Sequence, residues 1–306
     1  MPDRIAYVVP TKDRHDDLQK LLVSLTAQTV QPTQIVIVDG GDTPIKALVD
    51  DYPGLPITYV REYPPSLARQ RNAGMAALQA DITVAGYLDD DLELEPDATA
   101  RMRAFWEKAG DEVGGAAFTI KNQPLRHGLF GKVADLFLIN GGEQGRVLAS
   151  GFATSITPQS QDMRTDWLYG GATLWRRSVI RAFQYDEWYI GHGFLEDLDF
   201  SYRVSRSTQL WVVADAKVWH WPHPIRIERN VSLGRQQVVN RVYFVRKLGG
   251  FKRLPVIWAL FGQCVRNGLE SLKGCNRAGA LRLWGNLLGL RDLLVHGTRS
   301  VEGIWK

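Results

Sequence analysis

Cysteine is scarce in this chain. Only Cys264 and Cys275 occur among 306 residues, outside any CxxC spacing, which excludes a disulfide framework and a cysteine-ligated zinc module and fits a reducing compartment. No Gly-x-Gly-x-x-Gly follows the first apolar run and no Gly-x4-Gly-Lys-Ser/Thr occurs, so neither a dinucleotide fold nor a P-loop is supported. Long apolar runs are also missing. The longest, Leu254 to Gly262, is about half of the ~20 residues that a spanning helix needs. The run Ile5 to Val9 falls short of the ~7–15-residue apolar core of a signal peptide. A cytoplasmic protein without a membrane span is therefore expected. No internal repeat or low-complexity tract suggests a solenoid or fibre.

What is present is an ordinary globular composition, 45% hydrophobic and 23% charged, long enough for one large domain or two ordinary ones. Charge, however, is unevenly placed. Residues 226–306 hold 15 Lys and Arg against 4 Asp and Glu, whereas residues 1–225 hold 22 against 29. A mildly acidic body with a strongly basic tail predicts that the tail meets phosphate, on nucleic acid or at a membrane surface.

The first 120 residues alternate two periods. Ile5–Val9, Ile35–Val38, Ile57–Val60, Ile82–Ala85 and Val113–Ile120 read as strands buried on both faces. Leu18, Leu21, Leu22 and Leu25, then Ile45, Leu48 and Val49, then Leu67, Met75 and Leu78 have helical spacing. The alternation predicts an α/β fold: a mostly parallel central sheet flanked by helices, with its ligand beyond the carboxyl ends of the strands. Residues 121–165, rich in Gly, Gln, Asn and Ser without a clean period, are expected to form a loop or lid.

The residues after the strands are unusually polar. Asp89-Asp90-Asp91, read as an extended segment, would place Asp89 and Asp91 on one face, where two carboxylates call for magnesium or manganese; a solvated acidic turn leading to a helix is the alternative. Asp39, before Gly40-Gly41, suits a base imide or ribose hydroxyl, or a plain Asp-Gly turn. Glu196-Asp197-Leu198-Asp199 offers a general base, or acidic residues stabilising a helix N-terminus. A carboxylate here, among Trp188, Tyr189, Phe194 and Trp211, would have its proton affinity raised by desolvation. His220, between Trp219 and Trp221, is either a structural histidine or a metal ligand. Gly170-Gly171 is a turn or a place where a sugar approaches backbone.

Six blocks carry a family resemblance. Val9-Pro10-Thr11-Lys12-Asp13-Arg14, Val38-Asp39-Gly40-Gly41, Ser66 to Gly74, Leu88-Asp89-Asp90-Asp91, Gly170-Gly171-Ala172 and Phe194 to Phe200 occur in the order and approximate spacing of family 2 glycosyltransferases, over roughly residues 4–225. The resemblance implies a GT-A fold, a nucleotide-diphospho-sugar transferase. The expected division is a catalytic domain over 1–225 and a basic amphipathic helical region over 226–306. The implied donor contacts are Pro10, Thr11, Arg14, Asp39, Arg71 (with Arg69 as its competitor), Asp89, Asp90, Gly171 and Glu196. Asp89, Asp91 and His220 would hold Mn2+ or Mg2+, and Asp197 matches the catalytic base of inverting members. The implied substrates are a UDP-, dTDP- or GDP-sugar and a lipid-linked or polysaccharide acceptor, with a role in cell-surface glycan synthesis.

Within Arg277–His296, Leu283, Leu287, Leu290 and Leu294 form an amphipathic stripe with Trp284 beside it, and basic residues cluster upstream from Arg235 to Arg253. Such helices suit the inner face of an anionic cell membrane. Packing on the body, or on a second copy in a homo-oligomer, is the alternative. Nucleic acid is not expected, since no reader motif accompanies the charge. Two other functions stay open: a sugar nucleotidyltransferase, and a catalytically silent scaffold recruited to the membrane.

Overall fold

The β-branched runs become the strands of one nine-stranded sheet. The computed structural model describes residues 3–124, 129–191 and 193–298. Residues 125–128 of the expected lid and 299–306 of the basic tail lie outside the described residues. The described chain forms two units, Met1–Pro124 with Thr157–Pro222, and Leu125–Ile156 with His223–Lys306.

In the first unit β1 (Ile5–Thr11), β2 (Gln34–Asp39), β3 (Ile57–Arg61) and β4 (Val84–Leu88) alternate with α1 (His15–Thr26), α2 (Lys46–Asp50) and α3 (Leu67–Ala76). The four strands lie parallel in the order β3-β2-β1-β4, as crossover helices require. Every residue of β1 and β2 is buried, because helices cover both faces. Leu18, Leu21, Leu22 and Leu25 of α1 pack on Ile5, Tyr7, Ile35 and Ile37 in the main core.

The other half of the sheet is mixed. After β5 (Leu92–Leu94), α4 (Ala98–Lys108) and β6 (Val113–Ile120), the chain returns as β7 (Met163–Thr165) and β8 (Ala172–Arg176), followed by α6 (Arg177–Ala182), α7 (Glu196–Ser205) and β9 (Gln209–His220). The parallel character expected from the first 120 residues thus holds for β1 to β4 and for β6 against β9, while β8 runs antiparallel between β4 and β6. The strand enters from residues 157–171 rather than from a crossover helix, so nothing imposes a parallel direction on it. Between Phe118↔Val213 and Thr119↔Lys217, β9 slips by three residues against β6. This irregularity carries His220 opposite Leu92 of β5, just past the acidic run.

Of the residues expected as a loop or lid, Leu129–Leu136 form a helix in the second unit, and most of the other described ones carry no regular structure. α5 (Leu129–Leu136) is followed by Phe137, Ile139 and Phe152, which pack with Ala134 against Ala259 of α9 (Arg253–Leu272). Val238 of α8 (Asn230–Leu248) meets Val256 and Leu260 of α9. The expected final helix is α10 (Arg277–His296), capped by the Asn276 side chain, which accepts from the amides of Ala278 and Gly279. Its leucine stripe, however, does not face inward. Trp284, Leu287, Leu290 and Leu294 are exposed, whereas Gly279, Gly285, Asn286, Gly289 and Asp292 are buried. The cause is close helix approach: a Cβ on Gly285 would collide with the Val231 carbonyl, and one on Gly234 with that of Arg282. Small residues there select which face of α10 packs.

Candidate active site

The polar residues after the strands converge in the first unit. Asp89-Asp90-Asp91 is not extended; it is the turn between β4 and β5. The alternation expected of a strand is therefore not what sorts its carboxylates. Partners do that. Asp90 is buried, with Oδ2 accepting from Thr11 Oγ1 at 2.7 Å and Oδ1 from Arg14 Nη1 at 2.9 Å. Burial pushes its carboxyl up to about 6 against the pull of Arg14 and Thr11. Asp90 thus reaches any ligand only through Thr11 and Arg14, as a positioning residue. Arg14 also donates to Asp91 Oδ2 at 3.1 Å.

Asp89 and Asp91 turn the other way and meet His220. Their ligand atoms all lie within 4.8 Å of one another, with His220 Nε2 3.2 Å from Asp91 Oδ1. That Oδ1 is buried and faces the His220 ring, with no well-aligned hydrogen bond among the described residues. A buried carboxylate oxygen facing an imidazole and a second carboxylate fits a hard divalent cation such as Mn2+ or Mg2+. Burial would raise Asp91, but His220 and Arg14 outweigh it and hold it below the ordinary carboxylate value. For His220 burial opposes protonation, yet Asp91 and Asp89 prevail and raise its pKa. The cluster attracts positive charge.

Arg71, not Arg69, lies at this site. Arg69 pairs with Glu62 at 3.5 Å and donates to the Pro64 carbonyl. Arg71 is 2% exposed, sits over the rings of Tyr87 and Tyr185, donates to Glu196 Oε1 at 2.8 Å and reaches Asp89 Oδ1 at 3.5 Å. Glu196 and Asp197 open α7 after Leu195, which holds a left-handed φ of 77°. A leucine there is strained, and strain of this kind gathers at functional sites. Burial and then the neighbouring Asp197 push the Glu196 carboxyl up to about 8, with Arg71 opposing. Asp197 is half-buried. Its Oδ2 accepts from Gly170 N at 3.2 Å and its Oδ1 from Leu198 N at 2.7 Å. Burial raises its pKa too, while Arg71 and the two amides hold it back and Asp89 adds to the rise. Asp199 belongs to the helix, paired with Arg203.

Gly170-Gly171 ties these groups together. The Gly171 carbonyl accepts from Asp89 N at 2.8 Å, and a Cβ on Gly171 would collide with the Asp89 carboxylate. Asp39 is different. It is fully buried, and its oxygens accept from Gly41 N, Ile45 N, Tyr59 Oη and Arg61 Nη1. Those donors fix the β2 loop, three of them on Oδ2 and the Gly41 amide alone on Oδ1. Pro10, in β1, is buried within the sheet. Trp211 lines a separate cleft with Arg101, Phe105 and Asp162.

Three residues that the sequence did not single out support the site. Gln70 Nε2 donates to the carbonyls of Thr11 and Val38, joining the ends of β1 and β2. Asn72 exchanges hydrogen bonds with the Tyr185 backbone, which holds the ring beneath Arg71. Tyr185 itself, stacked on Phe200 at 4.3 Å, carries no motif that would reveal it.

Residues 7–148 match the Glycosyl transferase family 2 profile. The match marks a family 2 glycosyltransferase domain over those residues, a little under half of the chain. The match stops before Gly170, Glu196, Asp197 and His220, so the second half of the site rests on the geometry above. Among solved structures, the chain is similar in fold to S. aureus TarS, at 12% identity and TM-score 0.54, with 91% of this chain and 55% of that one covered. The mannosyltransferase PcManGT from Pyrobaculum calidifontis, solved with GDP-Man and Mn2+, gives 15% identity, TM-score 0.56 and coverage of 98% and 86%. GalNAc-T7, solved with UDP, GalNAc and Mn2+, gives 17%, 0.54, and 80% and 50%. The chain thus spans about half the length of TarS and of GalNAc-T7. These likenesses show a GT-A fold. Among curated protein sequences none matches the chain.

Proposed function

We propose that this chain transfers a sugar, with inversion, from a UDP-, dTDP- or GDP-linked donor to a hydroxyl of a lipid-linked or polysaccharide acceptor. One observation carries the reading: the Asp89, Asp91 and His220 cluster stands one glycine pair away from Asp197, since Gly171 bonds Asp89 and Gly170 bonds Asp197. Cation site and base are thereby held in fixed register. Asp89, Asp91 and His220 would hold Mn2+ or Mg2+, which when bound offsets charge on the departing diphosphate.

The remaining work falls to side chains. Asp197 Oδ2 takes the proton of the acceptor hydroxyl as its oxygen attacks the anomeric carbon and the bond to the diphosphate breaks; the raised pKa of Asp197 suits a base. Arg71 bridges Glu196 and Asp89 and holds both in place. Arg14 and Thr11, held by Asp90, supply polar groups at the end of β1 for the nucleotide. The second unit's cationic surface supports a reaction carried out at an anionic membrane.

The test is incubation of purified protein with a panel of nucleotide sugars and Mn2+, with and without chelator. Donor consumption that stops on chelation, with product inverted at the anomeric carbon, is the expected result. Absence of both donor turnover and metal-dependent nucleotide binding by calorimetry would sink the reading. Pyrophosphate exchange instead of transfer would indicate a nucleotidyltransferase.

A further inference from the structure

The helices of the second unit bury a polar cluster beside their apolar contacts and turn a further apolar face outward. Inside, Gln237 Oε1 accepts from Asn267 Nδ2 at 2.9 Å and Asn286 Nδ2 at 3.0 Å, and Asn286 also donates to the Gly234 carbonyl at 2.8 Å. Asn267, Asn286 and Gln263 are buried. Outside, α9 turns Leu254, Ile257, Trp258 and Phe261 to solvent, 80%, 63%, 44% and 55% exposed, and the end of α5 adds Leu136 at 65%. The α9 positions recur at i, i+3, i+4 and i+7, one continuous stripe. The stripe is ordered: Trp258 lies 4.7 Å from the buried Phe137 ring and donates from Nε1 to the Leu136 carbonyl at 2.9 Å. A large exposed apolar face marks an interaction surface.

Cations flank this stripe at its N-terminal end. Arg246 and Lys247 close α8, Lys252 and Arg253 open α9, and all four are exposed; no acidic residue occupies the first turn of α9. On α5, Lys132 and Asp135 add one charge of each sign. A self-complementary dimer on this face would bring the same cations toward their own copies, which is repulsive. An anionic lipid surface instead satisfies both the charge and the apolar stripe. Crossing the bilayer is not the solution, since no described helix is long and apolar enough, and α9 carries Arg266 paired with Glu270 in its second half. In-plane docking fits.

We infer that the stripe Leu254, Ile257, Trp258 and Phe261, with Leu136, enters the headgroup–acyl boundary of an anionic monolayer, with α9 lying in the membrane plane. This rests on the reading of the second unit as membrane-facing and names the element responsible. The full chain is to be floated with phosphatidylcholine vesicles, with and without phosphatidylglycerol, at low and high salt. The wild type is expected to float with the anionic vesicles. Trp258→Asp with Phe261→Asp, both exposed and outside the active site, should lower partitioning by about tenfold or more at either salt. Lys252→Glu with Arg253→Glu should lower it chiefly at low salt.

A wild type that stays in solution overturns the inference. So does flotation unaffected by the α9 changes but abolished by Leu287→Asp with Leu294→Asp, which would move the lipid contact to α10. A lipid-free dimer that Trp258→Asp dissociates would assign the stripe to a second copy and likewise overturn it. Donor turnover without acceptor, measured on the same variants, separates the two claims: vesicle binding without any turnover leaves the lipid face standing and removes the enzymatic reading.

Discussion

Arg71 Nη1 donates to Glu196 Oε1 at 2.8 Å across 125 residues of sequence, and both side chains are buried. Removing Arg71 leaves the buried Glu196 carboxyl, which holds its proton up to about pH 8, without its hydrogen-bond partner. Arg71→Met should therefore cost about 1–3 kcal/mol, read as a lower urea midpoint at neutral pH. Arg71→Lys should recover part of it, because an ammonium cannot serve Glu196 and Asp89 with one planar fork.

Glu196 gives that pair a pH signature. Its carboxyl is raised from an ordinary 4.5 to about 8, so between those values the native chain holds a proton that the unfolded chain has released. Stability from this group is present at low pH and is lost as pH rises through that window. Glu196→Gln should flatten the fall in unfolding free energy measured from about pH 5 to 8; a wild-type slope in the variant would contradict the assignment.

Asp39 has the opposite sign. Burial would raise it, but Tyr59, the two amides and Arg61 hold its carboxyl below the ordinary 3.8. Its contribution is present above about pH 4 and is lost as pH falls through the depressed folded value. Asp39→Asn should cost about 1–3 kcal/mol at neutral pH and remove the corresponding part of acid unfolding, followed by circular dichroism.

For the cation site, Asp91→Asn keeps the shape of the turn and removes a charge. Calorimetry should show Mn2+ affinity reduced by at least about tenfold to 100-fold, with the fold retained in the far-ultraviolet spectrum. Unchanged affinity would place the ion elsewhere.

Asp197→Asn addresses the base. An asparagine can still accept from the Gly170 amide but cannot take a proton, so kcat should fall by about 10²–10⁴ while the KM for donor stays near wild type. A fall in donor affinity with kcat preserved would make Asp197 a binding residue.

Much of the first unit was legible because local period reports burial. Val113–Ile120 is a strand with those same bounds, and all four α1 leucines are buried. The Ile82–Ala85 run shifts to Val84–Leu88, since the strand has to reach the acidic turn that it presents. The helix within the expected loop was not legible, because Phe137 and Phe152 find an apolar partner in α9 that no local pattern at 121–165 announces. In α10 the helix was readable and its orientation was not: Leu287 and Leu294 are a stripe in sequence, but Gly234 and Gly285 decide which side packs.

By itself the sequence determined the alternation of strand and helix, the carboxylates after the strands and the cationic end of the chain, because these are properties of neighbours along the backbone. Only the tertiary structure decided that Asp90 turns to Thr11 and Arg14 while Asp89 and Asp91 turn to His220, that Arg71 rather than Arg69 balances Glu196, and that Asp39 gathers Tyr59 and Arg61 on one oxygen. Those outcomes depend on which groups, 20 to 129 residues apart, compete for the same oxygen atoms once the strands are side by side, and local spacing carries no record of that competition.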